Sequence, residues 1–183
     1  MSSTDHLHAS CVGELTAWSP PNEDQLQLRE RYLQHLDDHP DGWSRDCHGA
    51  HLTASTLIVA PDRDRVLLTL HRRIGRWLQT GGHIEATDTD LTAAALREAS
   101  EESGLSELKL GTILLLSRHQ VPCGPVRPCF HLDVQYLAVA DARQQPVVSD
   151  ESDDVRWFAV DDLPDLDHSV SALIDAARTH DQR

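Results

Sequence analysis

No stretch of this chain approaches the roughly 20 consecutive apolar residues of a membrane span, so an integral membrane protein is not expected. The N-terminus, MSSTDHLHASC, lacks both a basic leading region and an apolar core. No secretory signal is therefore visible, and a cytoplasmic location is the expectation. Positive charge is scarce too: 16 Lys plus Arg stand against 30 Asp plus Glu, a formal net charge of −14. That balance opposes a polymeric nucleic acid or an anionic membrane as partner. A small anionic ligand stays open if a cation or local arginines mediate. The four cysteines, Cys11, Cys47, Cys123 and Cys129, show no CxxC spacing, and an intracellular setting argues against disulfides. Cys47, His48 and His51 resemble half of a zinc motif, but no second half-site follows. The twelve histidines are scattered and read mostly as surface residues.

At 183 residues the chain is long enough for one well-packed domain and an extension, here 1–45 as an extension with one helix and 46–183 as the domain. Residues 1–21 read as a poorly ordered lead ending in Ser19-Pro20-Pro21. Asn22 offers an N-cap with Gln25 as its reciprocal partner, and Leu26, Leu28, Tyr32, Leu33 and Leu36 give the next helix an apolar stripe. That helix is too small to stand alone; it should dock on the following domain or on a second subunit, and a homodimer through it is one expectation. Strands are expected at 52–60 and 66–71 as an antiparallel hairpin around Pro61-Asp62-Arg63-Asp64, then a short one at 76–80. Further strands follow at 108–116, 130–139 and 155–160, with a last helix near 169–178. In 130–139, Leu132, Val134 and Tyr136 alternate with His131, Asp133 and Gln135, which predicts one buried and one polar side. The order suits an α/β fold, a sheet covered by helices.

The stretch from Gly81 to Leu105, GGHIEATDTDLTAAALREASEESGL, is the most informative. Thr89 or Asp90 can cap a helix that the Ala93-Ala94-Ala95 run favours and Gly104 ends. On that helix Glu98, Glu101 and Glu102 stand at i, i+3 and i+4 and converge on one patch. They prolong the side of Leu91, Ala94, Ala95 and Leu105, which should face the core. Charges there are costly unless paired or bound to a metal. Two explanations stand level at this point: a site for a hard divalent cation, or a solvated or salt-bridged face. Arg97 is a plausible partner for Glu101. Ahead of the glycines, His71, Arg72, Arg73 and Arg76 make a cationic island that suits a phosphorylated substrate or plain solubility equally.

Gly82, Asp88 and the run Arg97-Glu98-Ala99-Ser100-Glu101-Glu102-Ser103-Gly104-Leu105 resemble the Nudix box, the signature of the Nudix hydrolase family. Three departures stand out: Asp88 replaces the first glutamate, one extra residue separates it from Arg97, and Ala99 is smaller than the usual aliphatic. The resemblance runs from about Leu52 to the last helix and implies an α/β/α sandwich with a mixed sheet. It implies a hydrolase that cleaves a nucleoside diphosphate linked to another group, as in an NDP-sugar, a dinucleotide or a nucleoside triphosphate, by water attack at phosphorus with Mg²⁺ or Mn²⁺. By position, Glu98, Glu101, Glu102 and the Gly81 carbonyl should bind the metal, and Arg97 should orient the carboxylates. Glu98 is the first choice of general base, with Glu151, Asp153 and Asp154 as alternatives on a later loop. Arg73, Arg76, His83, Arg118, His131 and Asp133 are candidate substrate contacts, with His119 beside them, and each also reads as a surface or sheet-edge residue.

Two other functions compete. A Nudix-like domain that binds a nucleotide without turnover is the first, although such sensors usually lose box glutamates. An isomerase on the same fold, with Cys47 or Cys129 near the metal, is the second.

Overall fold

The structure is a computed structural model that describes residues 3–122 and 125–180; Cys123 and Gly124 lie outside the described residues. Four helices and seven strands follow in the order α1 (Ser3–Ala17), α2 (Glu23–Asp38), β1 (Ala50–Val59), β2 (Arg65–His71), β3 (Arg76–Leu78), β4 (Thr80–His83), α3 (Leu91–Ser103), β5 (Lys109–Val121), β6 (Cys129–Val139), β7 (Ser152–Ala159) and α4 (His168–Thr179) among the described residues. The strands pair in the order β3-β2-β1-β6-β5, with β4 added to β1 and β7 to β2. The expected hairpin is present: β1 and β2 are antiparallel, with Ile58 opposite Leu67 and Val59 opposite Val66. The other edge of β2 carries β7, also antiparallel, from Arg65–Ala159 to His71–Ser152. No helix of the described residues is long and apolar enough to cross a membrane.

The chain divides into two compact units, Met1–Ala54 with Gly82–Ala95 and Leu115–Val134, and Ser55–Gly81 with Leu96–Leu114 and Gln135–Arg183. In the first unit the N-terminal segment is a correction to the sequence reading. The stretch expected as a poorly ordered lead is a helix, so this extension holds two helices. Leu7, Cys11 and Leu15 recur every fourth residue and are fully buried, forming the stripe by which α1 packs on α2. A ring nitrogen of His8 meets the carbonyl of Leu36 at 2.9 Å, and Arg29 donates to the Trp18 carbonyl at 3.0 Å.

The start of α2 keeps half of its expected cap. Asn22 accepts the amide of Gln25 at 3.0 Å, but the Gln25 side chain does not return the bond. Instead it donates to the carbonyl of Leu116 at 3.0 Å and accepts the Leu116 amide at 2.6 Å. A buried strand backbone must be satisfied, and this amide does it. Tyr32, buried, donates to the Ser117 carbonyl at 2.8 Å. Of the apolar stripe of α2, Tyr32 and Leu36 are buried and Leu26, Leu28 and Leu33 half-buried.

These contacts also explain a second correction. The side of β6 expected to be polar is not exposed: Asp133 and Gln135 are buried and His131 is half-buried. Asp133 accepts the hydroxyl of Thr53 at 2.8 Å, and the Tyr32 hydroxyl also lies 3.4 Å from its carbonyl. Strand β1 is buried on both faces from His51 to Val59. A polar residue tolerates such a place when its hydrogen bonds are made inside the protein.

In the second unit, Ile58, Leu67, Ala138, Ala140 and Val155 from the strands and their ends pack against Ala99 and Leu105. The small Ala99 is therefore a core contact of α3. The C-terminal end of α4 is held by Arg63, which donates to the carbonyls of Ala177 and His180, groups that the last turn of a helix leaves without intrahelical partners.

Candidate metal and active site

Helix α3 is fixed at both ends. Asp90 caps it, accepting the Ala93 amide at 2.7 Å and the Thr92 hydroxyl at 2.6 Å. The hydroxyl of Ser10, on α1, accepts the Leu91 amide at 3.1 Å, a contribution that sequence reading missed. At the other end Gly104 adopts φ +70, the left-handed conformation that lets a helix stop without steric cost at a glycine. In the loop before the helix, Asp88 is buried and accepts the Glu85 amide at 2.8 Å, while its own amide donates to the Glu85 carbonyl at 3.0 Å. The residue standing where a glutamate was expected closes a turn.

The carboxylates of α3 take three different environments. Glu102 is 7% exposed, and its Oε2 accepts the backbone amide of Gly81 at 3.1 Å. Glu98 is half-buried and Glu101 exposed. Arg97 joins the last two, with one nitrogen 2.8 Å from Glu98 and 3.2 Å from Glu101. Neighbouring residues on a helix do not normally face each other, yet the long Arg97 side chain, 20% exposed, reaches both. Burial is the main force on these acids. It raises Glu98 above the usual carboxylate range, against the pull of Arg97 and with the push of Glu101 and Glu151. It pushes Glu102 up to about 8, the Gly81 amide opposing and Glu98, Glu151 and Glu101 adding to the rise. Like charges gathered in a desolvated place favour protonation unless a cation joins them. The donors here are all hard oxygens, the set that suits Mg²⁺ or Mn²⁺.

Glu151 belongs to this electrostatic group although it lies far along the chain, in the turn before β7. Arg72 places it. The Arg72 side chain pairs with Asp153 at 2.8 Å and donates to the carbonyls of Asp150 and of Ser152, the latter at 2.9 Å. Its amide donates to the Glu151 carbonyl at 3.1 Å. Of the loop acids named from sequence, Asp153 is paired with Arg72 and Asp154 with Arg156. The cationic island is therefore divided: Arg72 clamps a loop, Arg76 pairs with Asp167, and Arg73 is exposed. The basic cluster was the sequence signal for the Arg72 clamp, but nothing local named its acidic partners.

The remaining candidates fall in the first unit. Arg118 lies over the Phe130 ring, 3.6 Å from its centroid. Asp133 is the buried partner of Thr53. His83 and His131 stand edge to face with ring centroids 5.0 Å apart, and His51 lies 5.2 Å from His83 and 5.0 Å from His131. His119 follows at 5.5 Å from His131. The histidines are less scattered than the sequence suggests. Burial, with the neighbouring imidazoles, lowers His131 to about 3; burial, with His51 and Arg45, lowers His83 to about 4. His51 is lowered as well, again chiefly by burial. The trio read from sequence, Cys47, His48 and His51, does not form: His48 is exposed, and Cys47 groups with His39 and Asp41, their ligand atoms within 4.8 Å of one another.

Comparison with known proteins follows the same lines. No relative was found among curated proteins. A NUDIX hydrolase from Clostridium perfringens is 25% identical, with a TM-score of 0.54, over 70% of this chain and 96% of its own. A MutT NUDIX hydrolase from Burkholderia pseudomallei is 26% identical, also at 0.54, over 69% and 97%. The NUDIX domain of Shewanella oneidensis NrtR, solved with ADP ribose, shares the fold at 22% identity and 0.54, over 69% and 85%. The family model described as the NUDIX domain matches residues 49–176. On that match and the glutamate-bearing helix inside it, the chain belongs to the Nudix family.

Proposed function

We propose that this Nudix-type hydrolase of phosphoric anhydride bonds cleaves a nucleoside diphosphate joined to another group, an NDP-sugar, a dinucleotide or a nucleoside triphosphate, with Mg²⁺ or Mn²⁺ held by Glu98, Glu101 and Glu102. The observation that carries this reading is Glu102, buried and tied to the Gly81 amide, with Glu98, Glu101 and Glu151 gathered close enough to raise it. Glu102 is buried and Glu98 half-buried, with the exposed Glu101 and Glu151 acting on Glu102, and a bound cation offsets the cost of a carboxylate so desolvated. When bound, the divalent ion supplies neutralisation of the charge that develops on the phosphoryl oxygens.

The rest belongs to the chain. Arg97 keeps Glu98 and Glu101 in a fixed geometry. The Gly81 amide directs one oxygen of Glu102, leaving the other for a ligand, and the neighbouring Gly81 carbonyl is a further oxygen donor. Glu98, half-buried and held by Arg97, is the carboxylate that accepts the proton of the attacking water. Glu151, set by the Arg72 clamp, is the fourth carboxylate of the same electrostatic group. Residues 46–183 act as the hydrolase domain in this reading, and 1–45 as an extension whose Ser10 supports the start of α3. The solved NUDIX domain bound to ADP ribose favours nucleotide derivatives as the class to test.

The deciding experiment is a substrate panel of NDP-sugars, dinucleotides and nucleoside triphosphates, each incubated with Mg²⁺ and the purified protein. Release of a monophosphate product, abolished in Glu102→Gln with the fold intact, is expected. Tight nucleotide binding with no turnover across the panel favours a sensor and overturns the catalytic assignment.

A further inference from the structure

We propose that His51, His83 and His131 form a second metal site, selective for a zinc-class transition ion and separate in chemistry from the carboxylates of α3. One ligand atom of each residue lies within 4.8 Å of those of the other two. Three ligands about 2.0–2.1 Å from a tetrahedral zinc lie some 3.3–3.5 Å apart, so the trio needs only small side-chain rotations to close on an ion.

The scaffold is rigid. His51 comes from β1, His83 from β4 and His131 from β6, so paired strands, not loops, aim the rings. His51 also shows which nitrogen is left to bind. Its Nδ1 lies 3.3 Å from the backbone carbonyl of Cys47. A carbonyl only accepts, so Nδ1 carries the proton and the lone pair is on Nε2. Metal-bound histidines are oriented in the same way, with the far N–H given to a carbonyl or carboxylate.

Donor chemistry separates the two sites. Imidazole prefers zinc, copper, nickel and iron, whereas carboxylates prefer magnesium and manganese. Three histidines leave a tetrahedral ion one open position, the arrangement that admits water or a ligand oxygen. Exposed His119, beside His131, borders the cluster.

The test uses tag-free, EDTA-treated full-length protein, titrated with Co²⁺ as a spectroscopic stand-in and then with Zn²⁺ by calorimetry. With excess Mg²⁺ present to occupy the carboxylates of α3, one equivalent of Zn²⁺ is expected, with Co²⁺ giving the intense visible bands of tetrahedral coordination. His83→Gln and His131→Gln should weaken Zn²⁺ binding beyond the roughly 10–100-fold that outer-shell changes produce. Glu102→Gln should leave the Co²⁺ bands unchanged. His51 is buried, so if His51→Gln fails to fold by circular dichroism, the two half-buried positions carry the test. Octahedral Co²⁺ spectra, or Zn²⁺ binding that survives both histidine changes and is lost in Glu102→Gln, overturn the proposal.

Discussion

The backbone amide of Gly81 donates to Oε2 of Glu102 at 3.1 Å, so the glycine pair and the last glutamate of α3 are set as one piece. Glutamine keeps an acceptor for that amide while removing the charge. Glu102→Gln should therefore fold normally and, without metal, melt no lower than the wild type, because it removes a charge that burial disfavours and that Glu98, Glu151 and Glu101 repel. Adding Mg²⁺ should raise the wild-type melting temperature, since a ligand at 100 times its dissociation constant adds about 2.7 kcal/mol. The variant should show little of that gain. Thermal melts in EDTA and in Mg²⁺ measure both, and an equal Mg²⁺ response removes Glu102 from the ligand set.

Arg97 holds Glu98 and Glu101 from one side chain. Arg97→Ala should weaken divalent binding by about 10–100-fold, the range for groups that orient ligands. Arg97→Lys should recover only part of this, because an ammonium cannot reproduce the planar fork. Mg²⁺ dependence of the rate separates the effect from simple instability, as saturating metal should restore much of the lost activity.

Arg72 clamps the turn that carries Glu151 through Asp153 and the carbonyls of Asp150 and Ser152. Its own salt bridge is exposed and contributes at most about 1 kcal/mol. Arg72→Ala should thus lower the melting temperature little yet lower turnover, and Glu151→Gln should show the same kinetic defect. If the double variant loses as much as the sum of the two, the residues act independently and the positioning role fails.

How much of this was legible differs by distance along the chain. The acids of α3, the Asp90 cap and the Gly104 stop are local patterns, and helix period alone places them. Helix α1 was missed because Leu7, Cys11 and Leu15 are separated by polar and small residues, and their burial depends on α2. The Asn22 cap was read correctly, but Gln25 was taken over by the Leu116 backbone, a partner 91 positions away. Asp133 and Gln135 alternate as solvent-facing residues should, yet the neighbouring segments bury them. The histidine trio has no local signal at all, since strand pairing alone brings it together.

Cys11 offers a test of α1. Burial, with Glu14 adding, pushes its thiol up to about 12 from 9.0. A raised pKa stabilises the fold below the unfolded value, and that stability drains away as pH rises from about 9 toward 12. At pH 8 the buried thiol is protonated and unreactive. Iodoacetamide should leave Cys11 unmodified in the native protein and label it in denaturant, as read by peptide mass spectrometry. Labelling of the native protein at pH 8 would show that α1 does not stay docked.

Gly104 closes α3 at φ +70, and a Cβ there would lie 2.6 Å from Val147 Cβ and 3.0 Å from the Val147 amide nitrogen. That amide is not free to retreat, because it donates to the Ser103 carbonyl at 2.8 Å. Gly104→Ala therefore meets two costs, a left-handed backbone of about 1–3 kcal/mol and a clash with a tethered segment. A substantial drop in melting temperature is expected. Trimming Val147 to Ala leaves its Cβ in place, so Val147→Ala should not rescue the variant, whereas Val147→Gly should recover the Cβ clash and leave the tight amide contact and the backbone part. Full rescue by Val147→Gly, read from chemical denaturation of the single and double variants, would mean that the left-handed conformation costs nothing here.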